Sequence, residues 1–193
     1  MSGRLPLLTE RLELRDFRED DVEAVHEWAS DPEVVRFMAW GPNTREQTRE
    51  FLQRKFAERT GDPRRTWDLA VVRRDSGRLI GSIGLRIDGA YEQAELGYCY
   101  HQDAWGRGYA TEAAREMLRF GFEELGLHRI HASVDSRNGA SVRVLDKLDM
   151  RQEGHLRKHT RIHREWRDSF ICAILRDEWA EARDAEDDDA GGS

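Results

Sequence analysis

Cysteine, lysine and long apolar runs are all scarce in this chain, and each scarcity excludes something. Only Cys99 and Cys172 occur in 193 residues, too few for a disulfide framework. Both fall in segments that read as strands and are expected to be reduced and buried. No apolar stretch approaches the ~20 residues of a bilayer-spanning helix. Residues 1–6, Met-Ser-Gly-Arg-Leu-Pro, lack the apolar core of a secretory signal. A cytoplasmic protein without a membrane partner is therefore expected. Lysine supplies three of the 31 basic residues (Lys55, Lys147, Lys158), a bias to which no function is attached. With 38 acidic residues the net charge is −7, which argues against nucleic acid as a partner. The histidines of the 155–163 region have no cysteine or carboxylate arrangement beside them, so no metal is expected.

The chain is instead rich in charge, at 36%, with 38% hydrophobic residues, enough for one polar domain with a real core. The domain is expected over residues 1–180 and an acidic, disordered tail over 181–193, where Asp184 to Asp189 precede Gly191-Gly192-Ser193. Alternation predicts strands at Leu8 to Phe17, Trp67 to Arg73, Leu79 to Ile87, Gln93 to Tyr100 and His128 to Val134, with two more late in the chain. Asp75-Ser76-Gly77 and Asp88-Gly89 are turn signals inside a meander. Helical spacing places Val22, Val25, Trp28 and Ala29 on one face after Asp20 or Asp21. A short helix is expected from Asp31-Pro32 and one from Thr44 to Glu58, where Thr44 and Gln47 have capping-box spacing. Tyr109 to Leu125 should be a helix with Ala110, Ala114, Met117, Leu118, Gly121 and Leu125 as its apolar stripe, ended by Gly126. Ser141 to Leu148 should be another. The order is that of an α/β fold: a mixed sheet of about seven strands with helices on both faces.

Trp105-Gly106-Arg107-Gly108-Tyr109-Ala110, between the Ala94–Tyr100 strand and a helix, is the most informative stretch. Glycines allow a sharp turn and close approach of the backbone, and a helix start presents unpaired N–H groups and a positive dipole end. Together they make a phosphate or pyrophosphate cradle. The Lys-Ser/Thr of a P-loop is absent, and Thr111 stands where a dinucleotide fingerprint needs its third glycine.

The loop resembles the acyl-coenzyme-A pyrophosphate loop of the GNAT acetyltransferase superfamily, Gln/Arg-x-x-Gly-x-Gly/Ala. Trp105 departs from it at the Gln/Arg position in a way that resembles the branch acetylating ribosomal-protein N-termini. The likeness extends to Leu8 to Arg15 as first strand, Asn138-Gly139-Ala140-Ser141 and Val144 to Met150 as an Asn-x-x-Ser helix, Glu153 to Arg157 as sixth strand and Trp166 to Phe170 as last strand. The resemblance implies a GNAT-like, mostly antiparallel mixed sheet and acetyl transfer from acetyl-CoA to a primary amine, a protein N-terminus or a small molecule, by direct attack in a ternary complex. It also implies a homodimer. An acyl-CoA-binding sensor on the same fold is the alternative.

An α-amino group with pKa ~8 loses its proton at pH 7 for about 1.4 kcal/mol, and a lysine near 10.4 for about 4.6, so a base assists. Glu95 is the candidate, directly or through water; it also reads as a solvent-facing strand residue, and Glu92 is the fallback. By the resemblance, Ser141 lies near the coenzyme's sulfur as a hydrogen-bond or relay group, and Asn138 bonds the pantetheine arm or caps its own helix. Arg107, Gly108, Tyr109, Ala110 and Thr111 present N–H groups to the pyrophosphate behind Trp105 and Gly106. The resemblance also implies a strand bulge near Tyr98 and Cys99 whose backbone faces the thioester carbonyl. Tyr98, Tyr100 and Trp105 either pack near the coenzyme or belong to core and surface. The basic run His155, Arg157, Lys158, His159, Arg161 and His163 is either a wall favouring an anionic acceptor or the 3′-phosphate, or a solvated hairpin. Trp28, Phe37, Met38 and Trp40 either line the acceptor side or belong to the core.

Overall fold

Every second residue of the first paired strands is apolar, and these residues form the floor of the core. A computed structural model describes residues 5–88 and 92–190, with side chains to residue 183. The turn expected at Asp88-Gly89 lies partly outside the described residues, as does the Gly191-Gly192-Ser193 end. The strands are β1 (Leu7–Leu8), β2 (Leu12–Arg15), β3 (Thr66–Arg73), β4 (Leu79–Asp88), β5 (Gln93–Tyr100), β6 (Arg129–Asp135), β7 (Arg151–Ile162) and β8 (Glu165–Leu175). The helices are α1 (Val22–Ala29), α2 (Arg45–Arg59), α3 (Tyr109–Arg119), α4 (Gly139–Asp146) and α5 (Arg176–Ala190).

One sheet runs β1-β2-β3-β4-β5-β6-β8-β7. All neighbours are antiparallel except β5 and β6, which are parallel. This is the expected α/β architecture with eight strands rather than seven. The extra strand arises because Leu8 to Phe17 is broken by a turn: the Leu12 N–H donates to Thr9 Oγ1 at 3.0 Å and the Thr9 N–H to the Leu12 carbonyl at 2.9 Å.

The two faces carry separate cores. Leu14, Leu69, Ile83, Leu85, Leu96 and Ile130 pack with Ala113, Ala114, Met117 and Leu118 of α3, Leu145 of α4 and Trp179 of α5. On the other face Val25, Trp28 and Ala29 of α1 and Leu52 of α2 cover Ala70, Val72 and Cys99. Burying side chains on both faces is the main driving force for closing the layers.

The Thr44–Gln47 capping box is present, with the Gln47 N–H on Thr44 Oγ1 at 3.2 Å and the Thr44 N–H on Gln47 Oε1 at 2.8 Å. The helix expected from Asp31 is only a 3-10 turn at Val35–Phe37. The helix expected to Leu125 leaves α geometry after Arg119 for a wider turn through Glu124, in which the Leu125 N–H reaches the Phe120 carbonyl. Gly121 there presses onto the sheet: a Cβ would lie 2.6 Å from Ile130 Cδ1 and 3.0 Å from Leu85 Cδ1. At the chain's end, α5 continues through the acidic run to Ala190 where disorder was expected. Glu181, Ala182, Ala185 and Glu186 favour helix, and Glu178 accepts the Leu175 N–H at 3.0 Å at its start. Among the described residues no helix is long and apolar enough to cross a membrane.

Candidate active site

The site begins where two parallel strands part. β5 pairs with β4 as far as Tyr100, yet with β6 only at Gln93↔Arg129, Ala94↔Ile130 and Glu95↔His131. β6 meanwhile stays with β8 to Asp135↔Ser169. Beyond Glu95 the strands diverge, and a cavity of about 370 Å³ occupies the gap. The bulge expected near Tyr98 and Cys99 is not there: the β4–β5 register is continuous. The backbone at this point is freed by loss of the β6 neighbour instead.

The glycine loop forms one wall. Gly106 and Gly108 have φ of 70° and 81°, values that favour glycine. No side chain caps α3, and its first bond runs from the Glu112 N–H to the Gly108 carbonyl. The N–H groups of Tyr109, Ala110 and Thr111 therefore have no acceptor within the helix. Arg11, unremarked in the sequence, braces this wall. It pairs with Glu112 at 2.6 Å, donates to the Arg107 carbonyl at 3.1 Å and stacks 4.7 Å above the Tyr109 ring. Burial opposes ionisation of Glu112, but hydrogen bonds from Thr9 and Arg11 outweigh it and hold the carboxyl below its ordinary range. The side chain of Arg107 is exposed and lines a separate, smaller pocket with Arg73 and Tyr109.

The floor is Tyr98, Cys99 and Tyr100, all lining the cavity. Burial pushes the Cys99 thiol up to about 12 and the Tyr98 phenol up to about 12, and raises Tyr100 well above its usual value. All three keep their protons at neutral pH. Cys99 and Cys172 are buried and free, as expected. Tyr98 Oη donates to the Ser141 carbonyl at 3.4 Å, tying β5 to α4 across the gap. Trp105 lies half exposed at the rim and donates from Nε1 to the Tyr100 carbonyl at 2.9 Å.

The opposite wall is the start of α4. Asn138 caps it, with Oδ1 accepting the Ser141 N–H at 3.2 Å. Asn138 and Ser141 line the cavity with Gly106, Gly108, Tyr109, Ala110 and Thr111. Glu95 does not line it. Its carboxylate is 41% exposed and 3.7 Å from Arg86, one register step before the strands part. Glu92 sits in the turn before β5 at φ 51°.

The third wall runs from Glu33 to Met38. Phe37 and Met38 line the cavity, whereas Trp28 is buried in the core with Trp40 against it at 6.1 Å. Most of the basic hairpin faces elsewhere. His155 and the Lys158 N–H engage Asp168 at 3.0 and 2.8 Å, and Arg157 and His159 line their own open pocket. Only the tip returns, where His163 Nε2 is 3.4 Å from the Val35 carbonyl. Sequence reasoning missed Glu33, Arg36 and Arg137, which all line the cavity.

The family profile described as an acetyltransferase (GNAT) domain matches residues 11–151. The chain belongs to the GNAT acetyltransferase family. It is 35% identical over 173 residues to the uncharacterised N-acetyltransferase YnaD of Bacillus subtilis, covering 90% of this chain and 98% of that one. It is 33% identical to a GNAT-family acetyltransferase of Bacillus anthracis of known structure, with a TM-score of 0.81, 90% of this chain and 100% of that chain covered. RimJ of Mycobacterium smegmatis, solved with CoA-disulfide, shares the fold at a TM-score of 0.76 and 24% identity, over 86% of this chain and 83% of that one. This GNAT chain is thus an acyl-CoA-dependent N-acetyltransferase.

Proposed function

We propose that this enzyme transfers acetyl from acetyl-CoA to a primary amine by direct attack while both substrates are bound. The observation that carries the reading is a glycine-loop cradle opening into a gap that pierces the sheet. A Cβ at Gly106 would meet no heavy atom within 4 Å, and the first N–H groups of α3 have no acceptor within the helix. Both features fit a pyrophosphate. Acetyl-CoA supplies the activated thioester.

Asn138 and Ser141, at the start of α4, are placed to meet the pantetheine end, and the half-buried Ser141 hydroxyl suits a hydrogen bond or proton relay to the departing thiolate. Backbone N–H groups of β5 beyond Glu95 are suited to the developing oxyanion. Glu95 would receive the amine proton through water, since its carboxylate is partly exposed and outside the cavity lining. Cys99 holds its proton up to about 12, which supports direct attack over an acyl-thiol intermediate on this residue.

The test is calorimetric titration with acetyl-CoA, using ATP and NAD as controls, followed by release of free thiol on adding amines. Binding of acetyl-CoA alone and amine-dependent thiol release are expected. No binding by the folded protein would overturn the reading.

A further inference from the structure

We propose that the acceptor is an amine carrying its own carboxylate close by, its ammonium received by Glu33 and its carboxylate by Arg36 and Arg137. This rests on the transfer reading above and specifies the substrate class of the same site. Among the described residues lining the cavity, Glu33 is the only carboxylate. The lining cations divide by place. Lys147 follows the last turn of α4, where its carbonyl accepts from Arg115 of α3 at 3.3 Å, on the coenzyme side, whereas Arg143 folds back along α4 so that its Nη1 lies 3.5 Å from where a Cβ on Gly139 would stand. Arg36 lies on the Glu33–Met38 wall, and Arg137 is held by Asp135 beside Arg167, which pairs with Thr160 toward the tip of the β7–β8 hairpin.

Arg36 and Glu33 form a two-pole template. Their side chains are 3.5 Å apart, 57% and 63% exposed, and the guanidinium rests 4.5 Å over the Phe37 ring. So open an ion pair is weak in water, and a ligand with both charges replaces each half by a matching partner. Arg137 adds a second cation. Its Nε is 3.5 Å from Asp135, whose carboxylate is only 1% exposed and is shared with Arg167 at 3.5 Å. An acceptor cannot reach Asp135, but it can reach the exposed guanidinium of Arg137.

The template is held in place before an acceptor arrives. Gln102 donates to Asp31 Oδ2 at 2.7 Å, Asp31 Oδ1 accepts the Glu33 N–H at 2.9 Å, and His163 at the hairpin tip meets the Val35 carbonyl. These contacts fix the backbone at Glu33 and Val35, which lowers the ordering cost of binding. A polyamine would place its further cations against Arg36 and Arg137 with no second carboxylate to receive them, an arrangement that like-charge repulsion disfavours.

The test compares matched amines with the full-length enzyme saturated in acetyl-CoA, following thiol release. The amines are the amidated peptides Ala-Glu-Ala and Ala-Gln-Ala, free L-aspartate, and spermidine. At least about a tenfold higher kcat/KM is expected for the better of the two acidic amines than for Ala-Gln-Ala, as one charge-assisted hydrogen bond provides. Spermidine should be the poorest. Faster reaction of L-aspartate than of the acidic peptide would name a free amino acid as the source of this chemistry, and the reverse order a chain N-terminus.

Arg36→Glu should abolish or invert the preference, and Glu33→Gln should raise KM for the amine more than it lowers kcat. Equal kcat/KM across the series, or a preference for spermidine, overturns the proposal. Calorimetry of the same amines with the CoA-loaded enzyme reads recognition without turnover. If acetyl-CoA binds but no amine releases thiol, the transfer reading fails. The binding series then reads recognition alone: tighter binding of an acidic amine keeps Glu33, Arg36 and Arg137 as the site of such a ligand without transfer, and equal or absent binding overturns that assignment as well.

Discussion

Gly108 has a left-handed backbone with room beside it: φ is 81°, and an added Cβ would meet only Arg11 Nη2, at 3.4 Å. Gly108→Asp places bulk and negative charge where the α3 N-terminus offers N–H groups to an anion. Acetyl-CoA binding should be lost while the far-UV circular dichroism spectrum stays native, and unchanged affinity in calorimetry would remove the loop from the site. Cys99 carries a second expectation at this scale. Burial raises its thiol from 9.0 to about 12, so the unfolded chain ionises it first. Its contribution to stability is full below about pH 9 and declines as pH rises toward 12. Native protein at pH 8 should leave Cys99 unalkylated by iodoacetamide, with label appearing only in urea. For Glu95→Gln, turnover should fall more than acetyl-CoA affinity; identical pH–rate profiles for variant and wild type would end its assignment as base. The glycine loop was legible because its residue types are demanded by backbone geometry. Glu33, Arg36 and Arg137 were not, because exposed charged residues in connections carry no local signal of what stands across the cavity.

Elements were legible where their own ends specify them. The capping box of α2 is a local signature, and Thr44→Ala should cost about 1 kcal/mol of stability, read as a lower urea midpoint at unchanged slope. The first strand was misjudged because its break depends on distant partners. Thr9 Oγ1 donates to Glu112 at 2.5 Å, and the Arg11 N–H reaches the same carboxylate at 2.9 Å. No periodicity over Leu8 to Phe17 reveals a turn stabilised by a residue on α3. The early end of α3 has a similar origin, since Gly121 is needed by Ile130 and Leu85 of the sheet rather than by the helix. Conversely, the acidic composition of the C-terminal segment led to disorder being expected, although its alanines and glutamates are sound helix formers.

At the scale of the whole molecule, the meander β3–β4–β5 and the α/β layering followed from alternation and turns. The insertion of β8 between β6 and β7 did not, because strand order depends on which apolar faces match after the chain has folded back. The gap between β5 and β6 belongs to the same level. Its lining draws Tyr109 and Tyr98 from one core layer, and Val34, Met38 and Cys99 from the other, so it communicates with both faces of the sheet. On the proposed reading, donor and acceptor would have separate doors. Free CoA should act as a competitive product inhibitor against acetyl-CoA but not against the amine, and initial-rate patterns with each substrate varied would show it. On the proposed reading a hole through a sheet has a kinetic meaning: neither substrate would have to wait for the other to leave.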